Sequence, residues 1–150
     1  MITAIDTNVL IDVLLPDPHF GERSKEALRR CEAEGQLVAS PVVWAEVGAA
    51  FPDEISFGNA MSALGVRFEG IEEPAAFEAG RSFRAYRHRG GSRDRVVADF
   101  VVGAHAIHHA DRLLTRDRGF YKSYFKKLSV LSPVGPQPVD SSAGPGDPES

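Results

Sequence analysis

Apolar residues in this chain fall into short blocks, each closed by a polar or turn-forming residue, and the blocks alternate between strand and helix periodicity. The run Ile2 to Ile5 reads as a short buried strand that stops abruptly at Asp6, and Val9 to Leu15 follows as an amphipathic helix. Pro16-Asp17-Pro18-His19 is a turn. Gly21 to Glu34 is a second helix with Ala27, Leu28 and Cys31 on one face, stopped by Gly35. Leu37 to Ala39 is a second strand, and Ser40-Pro41 suits an N-cap and a first-turn proline of the helix that carries Glu46. On that helix Val42, Val43, Val47 and Ala50 form an apolar stripe, with Trp44, read as packing, and Glu46 just off it. Spacing leaves Glu46 facing either solvent or the end of the sheet. Asp53 caps a helix to Leu64, Gly65 ends it, and Val66 to Phe68 is strand-like. The helix from Pro74 to about His88 finishes in Arg87-His88-Arg89-Gly90-Gly91, where cations suit the helix dipole and glycine suits a left-handed cap. A further helix is predicted from about Asp94 to His109, its Gly103 and Ala104 marking close packing. Leu113-Leu114 is the core of a strand that exits through Thr115-Arg116-Asp117; Phe120 to Lys127 is a short aromatic and basic segment, and Leu128 to Leu131 a last strand. Strands alternating with helices predict an α/β fold, with a mostly parallel central sheet of four to five short strands flanked by helices.

From Ser132 the composition changes to Pro, Gly, Ser and Asp, which divides the chain into one folded domain over 1–132 and a flexible tail over 133–150. No internal repeat is visible. With 150 residues, 43% of them hydrophobic, the chain supports a single core. A formal net charge of −4 excludes coating of nucleic acid by bulk charge, so a polyanion needs a local basic landing site. No apolar window is long enough to span a membrane, and Asp6 interrupts the stretch a signal peptide needs, so the expected location is cytoplasmic. The lone Cys31 suits a reducing compartment and is read as a buried structural thiol.

Four acids change this picture. Asp6 and Asp117 each terminate a predicted strand, and in parallel α/β sheets ligands collect beyond the carboxyl ends of the strands. Glu46 and Asp99 sit in helices that flank the same edge. Taken alone, Asp6 or Thr7 is equally a helix cap. If the four acids converge, each pair at about 4 Å repels by about 4 kcal/mol at an effective dielectric near 20, so the cluster requires a cation or raised pKa values. An all-oxygen donor set selects a hard ion, Mg2+ or Mn2+, and such an ion equips a site for phosphodiester hydrolysis.

Ile5-Asp6-Thr7-Asn8, Glu46 in a mid-chain helix, Asp99 opening Asp-Phe-Val-Val-Gly-Ala-His-Ala, and Leu113-Leu-Thr-Arg-Asp-Arg-Gly-Phe120 together resemble a PIN-domain nuclease, most similar to the VapC-type toxins of bacterial toxin–antitoxin pairs. The resemblance covers roughly residues 1 to 131. It implies a PIN-like fold, Mg2+- or Mn2+-dependent endoribonuclease activity, homodimerisation and inhibition by a cognate protein antitoxin. On this resemblance Asp6, Glu46, Asp99 and Asp117 are the catalytic, metal-binding acids, and Thr7, Asn8 and Thr115 hydrogen-bond to them from behind. The segment Asp53 to Leu64 and the proline-rich tail depart from the family pattern without touching the acids.

The remaining polar residues have plainer readings beside functional ones. Asp12 is expected on the solvent side of its helix, Asp94 as a helix N-cap, and His105 and His109 as a pair on the helix surface, since no third metal ligand accompanies them. Arg84, Arg87, Arg89, Arg93 and Arg95 form the densest basic run, suited either to an RNA backbone or to a solvated helix end and loop. Tyr121, Lys122, Tyr124 and Phe125 mix rings and charge as single-stranded RNA sites do, although rings at this spacing are read as core. Arg116 stands beside Asp117, placed to neutralise acids or touch a phosphate. Two other functions compete: a non-catalytic binding module on the same fold, and a phosphatase of the haloacid dehalogenase kind, which wants a second Asp where this chain has Asn8.

Overall fold

In the computed structural model, which describes residues 1–133, strand β1 (Ile2–Ile5) leads into helices α1 (Thr7–Leu14) and α2 (Gly21–Glu34). Strand β2 (Gln36–Ala39), α3 (Pro41–Gly48), α4 (Glu54–Leu64), β3 (Val66–Phe68) and α5 (Glu73–His88) follow. The chain closes with α6 (Val97–His109), β4 (Arg112–Leu114), α7 (Arg118–Tyr124) and β5 (Val130–Leu131). The tail expected over 133–150 lies, from residue 134 on, outside the described residues. No helix among the described residues is long and apolar enough to cross a membrane.

All strand pairs are parallel and the sheet order is β3-β2-β1-β4-β5. β1 is central, with Ile5 beside Leu114 of β4 and Ala4 beside Val38 of β2. Both faces are covered, so the strands read as apolar runs: Ala4, Ile5, Leu37, Val38, Leu113 and Leu114 are all buried. The start of β1 is tied to β4 through Arg112, which donates to Thr3 Oγ1 at 2.9 Å and to Glu34 at 2.6 Å. On one flank an aromatic cluster joins α5, α6 and α7: Phe100 packs against Phe83, Tyr86, Phe120, Tyr124 and Phe125, with ring centroids 5.3–6.0 Å away. Gly103 lies against the Phe125 ring, where any Cβ would collide. Trp44 packs edge-on against Phe57 and Phe68, and Cys31 is buried, as expected of both.

Several local expectations are corrected. Asp12 is only 3% exposed: it faces α2, and the carboxylate accepts from Ser24 Oγ at 2.8 Å and from Arg116 Nε and Nη2 at 2.8 and 3.1 Å. The first helix starts at Thr7 rather than Val9 because Asp6 caps it. The sixth begins at Val97, not Asp94. The Asp94 carboxylate is taken by the Ser92 hydroxyl at 3.0 Å, and Asp99 accepts the Val96 N–H instead. His105 is core rather than surface, its Nε2–H donating to the Glu69 carbonyl at 3.0 Å, while His109 Nε2 accepts from the Glu72 N–H. The last strand shortens to Val130–Leu131, since Leu128 N–H turns back to the Phe125 carbonyl.

Candidate active site

The chain runs from β1 outward to β2 and β3, then returns to place β4 on the other side of β1, so the strand order reverses between β1 and β4. At such a point the loops leave in opposite directions and open a crevice beyond the carboxyl ends. Asp6 leaves β1 and Thr115 to Asp117 leave β4 at this crevice, because both apolar runs end there. A cavity of about 350 Å³ forms, lined by Asp6, Thr7, Asn8 and Ile11 from the first turn, Glu46 from α3, Ala98, Asp99 and Val102 from α6, and Asp117 and Tyr121 from α7.

Asp6 is the most buried of the four acids, at 8% exposure. Its N–H continues the ladder to the Leu114 carbonyl at 2.9 Å; Oδ1 accepts the Thr7 N–H at 2.8 Å and Oδ2 the Thr115 hydroxyl at 2.7 Å. The Tyr121 hydroxyl donates to it as well. Burial pushes the Asp6 carboxyl above its ordinary range; Thr115, Thr7 and Tyr121 pull it back, and nearby Glu46 adds to the rise. Thr7 serves two acids, since its hydroxyl donates to Glu46 Oε1 at 2.8 Å. That contact settles the direction left open by spacing: Glu46 faces the cavity. Asp99, in the first turn of α6, accepts the Val96 N–H on Oδ2 at 2.9 Å. Thr115 in turn accepts the Asp117 N–H at 2.9 Å, so one buried hydroxyl ties Asp6 to the backbone of Asp117. Asn8 does not touch an acid; its Oδ1 accepts the Arg116 N–H at 3.1 Å and pins the exit of β4 to α1.

Tyr121 is the residue that sequence reasoning grouped elsewhere. It is 2% exposed, and burial together with Asp6, Asp99 and Asp117 drives its phenol far above the ordinary tyrosine value, so it stays protonated and a donor. One signal marked it: Tyr121 follows Asp117 by one helical turn and shares its face.

The seven cations singled out in the sequence separate in space. Arg95 enters the acid site: its Nη1 is 2.5 Å from Asp117 Oδ2, and its guanidinium lies over the Phe120 ring, 4.1 Å from the centroid. Arg116 turns away from the acids, paired with Asp12 and stacked on Phe20 at 4.1 Å, so it is a structural cation rather than a phosphate contact. Arg84 and Arg87 line a separate groove with Phe83 and His88, and Arg89 lines another with Lys126 and Lys127. Arg93 and Lys122 are exposed and outside these three cavities.

The donors around the cavity are carboxylate oxygens, the chemistry a hard divalent cation takes. Among the described residues no group of three His, Cys, Asp or Glu stands close enough to hold an ion as placed. Arg95 occupies the cationic position against Asp117. The donor types are those a hard divalent cation takes, and as placed they stand further apart than a bound ion requires.

Solved structures share this fold. A chain of the VapBC2 complex from Rickettsia felis bound to a promoter DNA fragment matches with a TM-score of 0.68 at 16% identity, covering 88% of this chain and 98% of that one. A chain of VapBC-1 from nontypeable Haemophilus influenzae matches at 0.64 and 18%, covering 89% and 99%. A chain of a toxin–antitoxin complex from Klebsiella pneumoniae matches at 0.61 and 23%, covering 87% and 97%. No curated protein matches by sequence. The PIN-domain family model matches residues 3–126, and on that match the chain belongs to the PIN-domain family.

Proposed function

We propose that this chain is a divalent-metal-dependent endoribonuclease that serves as the toxin of a toxin–antitoxin pair. Family membership supports a hydrolase acting on nucleic acid. The observation that carries the finer reading is the convergence of Asp6, Glu46, Asp99 and Asp117 on one cavity at the strand-order reversal. In this reading the four carboxylates hold Mg2+ or Mn2+. A bound ion supplies positive charge to a phosphate oxygen and acidifies a water for in-line attack. The chain's own residues do the rest. Thr115, Thr7 and Tyr121 keep the Asp6 carboxylate fixed and aimed into the cavity, which favours its ionised form against burial. Thr7 holds Glu46 at the rim, and Val96 N–H orients Asp99. Glu46 is the most exposed of the four and has the freest approach to a cation or substrate.

The toxin part rests on the fold shared with VapBC and toxin–antitoxin complexes. A cognate protein antitoxin that offers a basic side chain to the acids suits the charge of the cavity, and a homodimer in the cytoplasm completes the reading. The haloacid dehalogenase alternative gives way to the PIN assignment. A non-catalytic binding module draws on one observation, the Arg95–Asp117 pair that already neutralises an acid. Purified chain free of antitoxin, incubated with RNA and with DNA of matched sequence, separates the readings. Cleavage of RNA with Mn2+ or Mg2+, lost in EDTA and in Asp6→Asn, supports the nuclease; cleavage that survives Asp6→Asn overturns it, and absence of Mn2+ binding by calorimetry favours the binding module.

A further inference from the structure

Arg95 is held in place from both sides. Upstream, Gly91 lies flat against the Tyr86 ring, where a Cβ would collide, and the Tyr86 hydroxyl donates to the Ser92 carbonyl at 2.5 Å. Ser92 Oγ then donates to Asp94 at 3.0 Å. Downstream, Val96 N–H is bound by Asp99. Between these anchors the Arg95 side chain crosses the Phe120 ring at 4.1 Å and ends on Asp117 at 2.5 Å, with Asp99 and Tyr121 close enough to act on its charge. It is the one cation among the described residues paired with an acid of the cavity. A flat guanidinium fits both an aromatic face and a carboxylate, which an ammonium does not do equally.

From this placement we infer that Arg95 is a built-in counter-cation that competes with the divalent ion for Asp117, so that metal loading requires Arg95 to swing off the carboxylate. The inference rests on the metal-site reading above. The contested group is the Asp117 carboxylate, whose Oδ2 is engaged by Arg95 Nη1. The guanidinium already lies on the Phe120 ring, and that stacking keeps it near the cavity when it leaves the carboxylate. The device sets a threshold, since the site loads only when the ion outcompetes a tethered arginine, and it spares the metal-free protein the repulsion of uncompensated acids.

The test uses the full chain and Mn2+ alone, with free ion followed by electron paramagnetic resonance and no RNA present. Arg95→Gln is expected to bind Mn2+ about tenfold more tightly than the unaltered chain, the factor that corresponds to about 1.4 kcal/mol of released pairing. Arg95→Lys, which keeps the charge and loses the flat stacking surface, is expected between the two. In EDTA, Arg95→Gln is expected to melt below the unaltered chain, and with saturating Mn2+ that order is expected to reverse. Equal Mn2+ affinities for the unaltered chain and Arg95→Gln, with Asp6→Asn binding more weakly than both, overturn the competition while leaving the metal site standing. Absence of Mn2+ binding in both overturns the metal site and the competition together.

Discussion

Asp6 performs two tasks with one carboxylate: Oδ1 caps α1 and Oδ2 is held by Thr115 at the mouth of the cavity. Its position at the cavity was legible because an apolar strand that stops at an acid delivers that acid to the sheet's carboxyl edge. Burial raises the carboxyl above its ordinary range, and the sign follows from proton counting. Between the unfolded and the raised folded value the native state keeps a proton that the unfolded chain has lost, so stability falls as pH rises through that window. At neutral pH the penalty is present in the metal-free protein. Asp6→Asn is therefore expected to raise the melting temperature in EDTA at pH 7, the difference closing as the pH is lowered towards the ordinary carboxylate range. A lower melting temperature for the variant at pH 7 would contradict it. Asp12 was not legible in this way. Its partner Arg116 lies 104 positions along the chain, and nothing local tells a salt-bridged acid on a buried helix face from a solvated one. Arg116→Ala leaves Asp12 buried with only the Ser24 hydroxyl, and is expected to cost about 3–5 kcal/mol in urea unfolding; Arg116→Lys, which loses the forked contact, is expected to recover part of it.

At the scale of elements, α6 does most to position the site. Its first turn carries Asp99, the adjacent Phe100 packs into the aromatic cluster, and His105 further along anchors it to the loop after β3. The small residues Gly103 and Ala104 announced close packing, and the partner is the Phe125 ring. Gly103→Ala is expected to destabilise by about 1–3 kcal/mol through overpacking, measured by chemical unfolding, despite alanine's better helix propensity. A neutral or stabilising result would show that Phe125 yields. His105 gives a pH signature of the opposite sign to Asp6. Burial lowers its pKa, so the unfolded state binds the proton that the folded state refuses, and stability is lost as pH falls below the ordinary histidine range of about 6.5. Denaturant midpoints across mildly acidic pH are expected to drop for the unaltered chain and to flatten in His105→Gln. The start of α6 was not legible, because Asp94 and Asp99 are equally suited to a helix start by residue type. The choice is made by Ser92, held against Tyr86 from another helix. Glu46 shows the same limit, since its direction is set by a hydroxyl 39 positions away.

At the scale of the molecule, alternation of strand and helix pointed to the parallel sheet, and the position of β4 beside β1 turned two strand-ending acids into neighbours. The sheet order itself is a long-range property that no local pattern encodes, which is why the family resemblance rather than spacing had to supply convergence. The same scale poses the problem of RNA capture that the proposed activity brings with it. A chain of net charge −4 with an acidic cavity repels a polyanion unless cations elsewhere receive it. Of the seven cations singled out in the sequence, with Arg116 committed to Asp12 and Arg95 to Asp117, those left are Arg84 and Arg87 in the Phe83–His88 groove, Arg89 beside Lys126 and Lys127, and Arg93 and Lys122 outside both grooves. The first groove combines charge with a ring, since the Arg87 guanidinium lies 5.7 Å from the Phe83 centroid, and such pairing receives single strands. Removing one phosphate-binding cation reduces the slope of log affinity against log salt by about 0.7 for a single strand. Arg84→Ala with Arg87→Ala is therefore expected to lower that slope by about 1.4, read by fluorescence anisotropy with labelled RNA on an Asp6→Asn background that prevents cleavage. Removal of Lys126 and Lys127 serves as the competing track, and a slope that falls there while staying constant in the Arg84 and Arg87 double variant would move the RNA path to the other cavity.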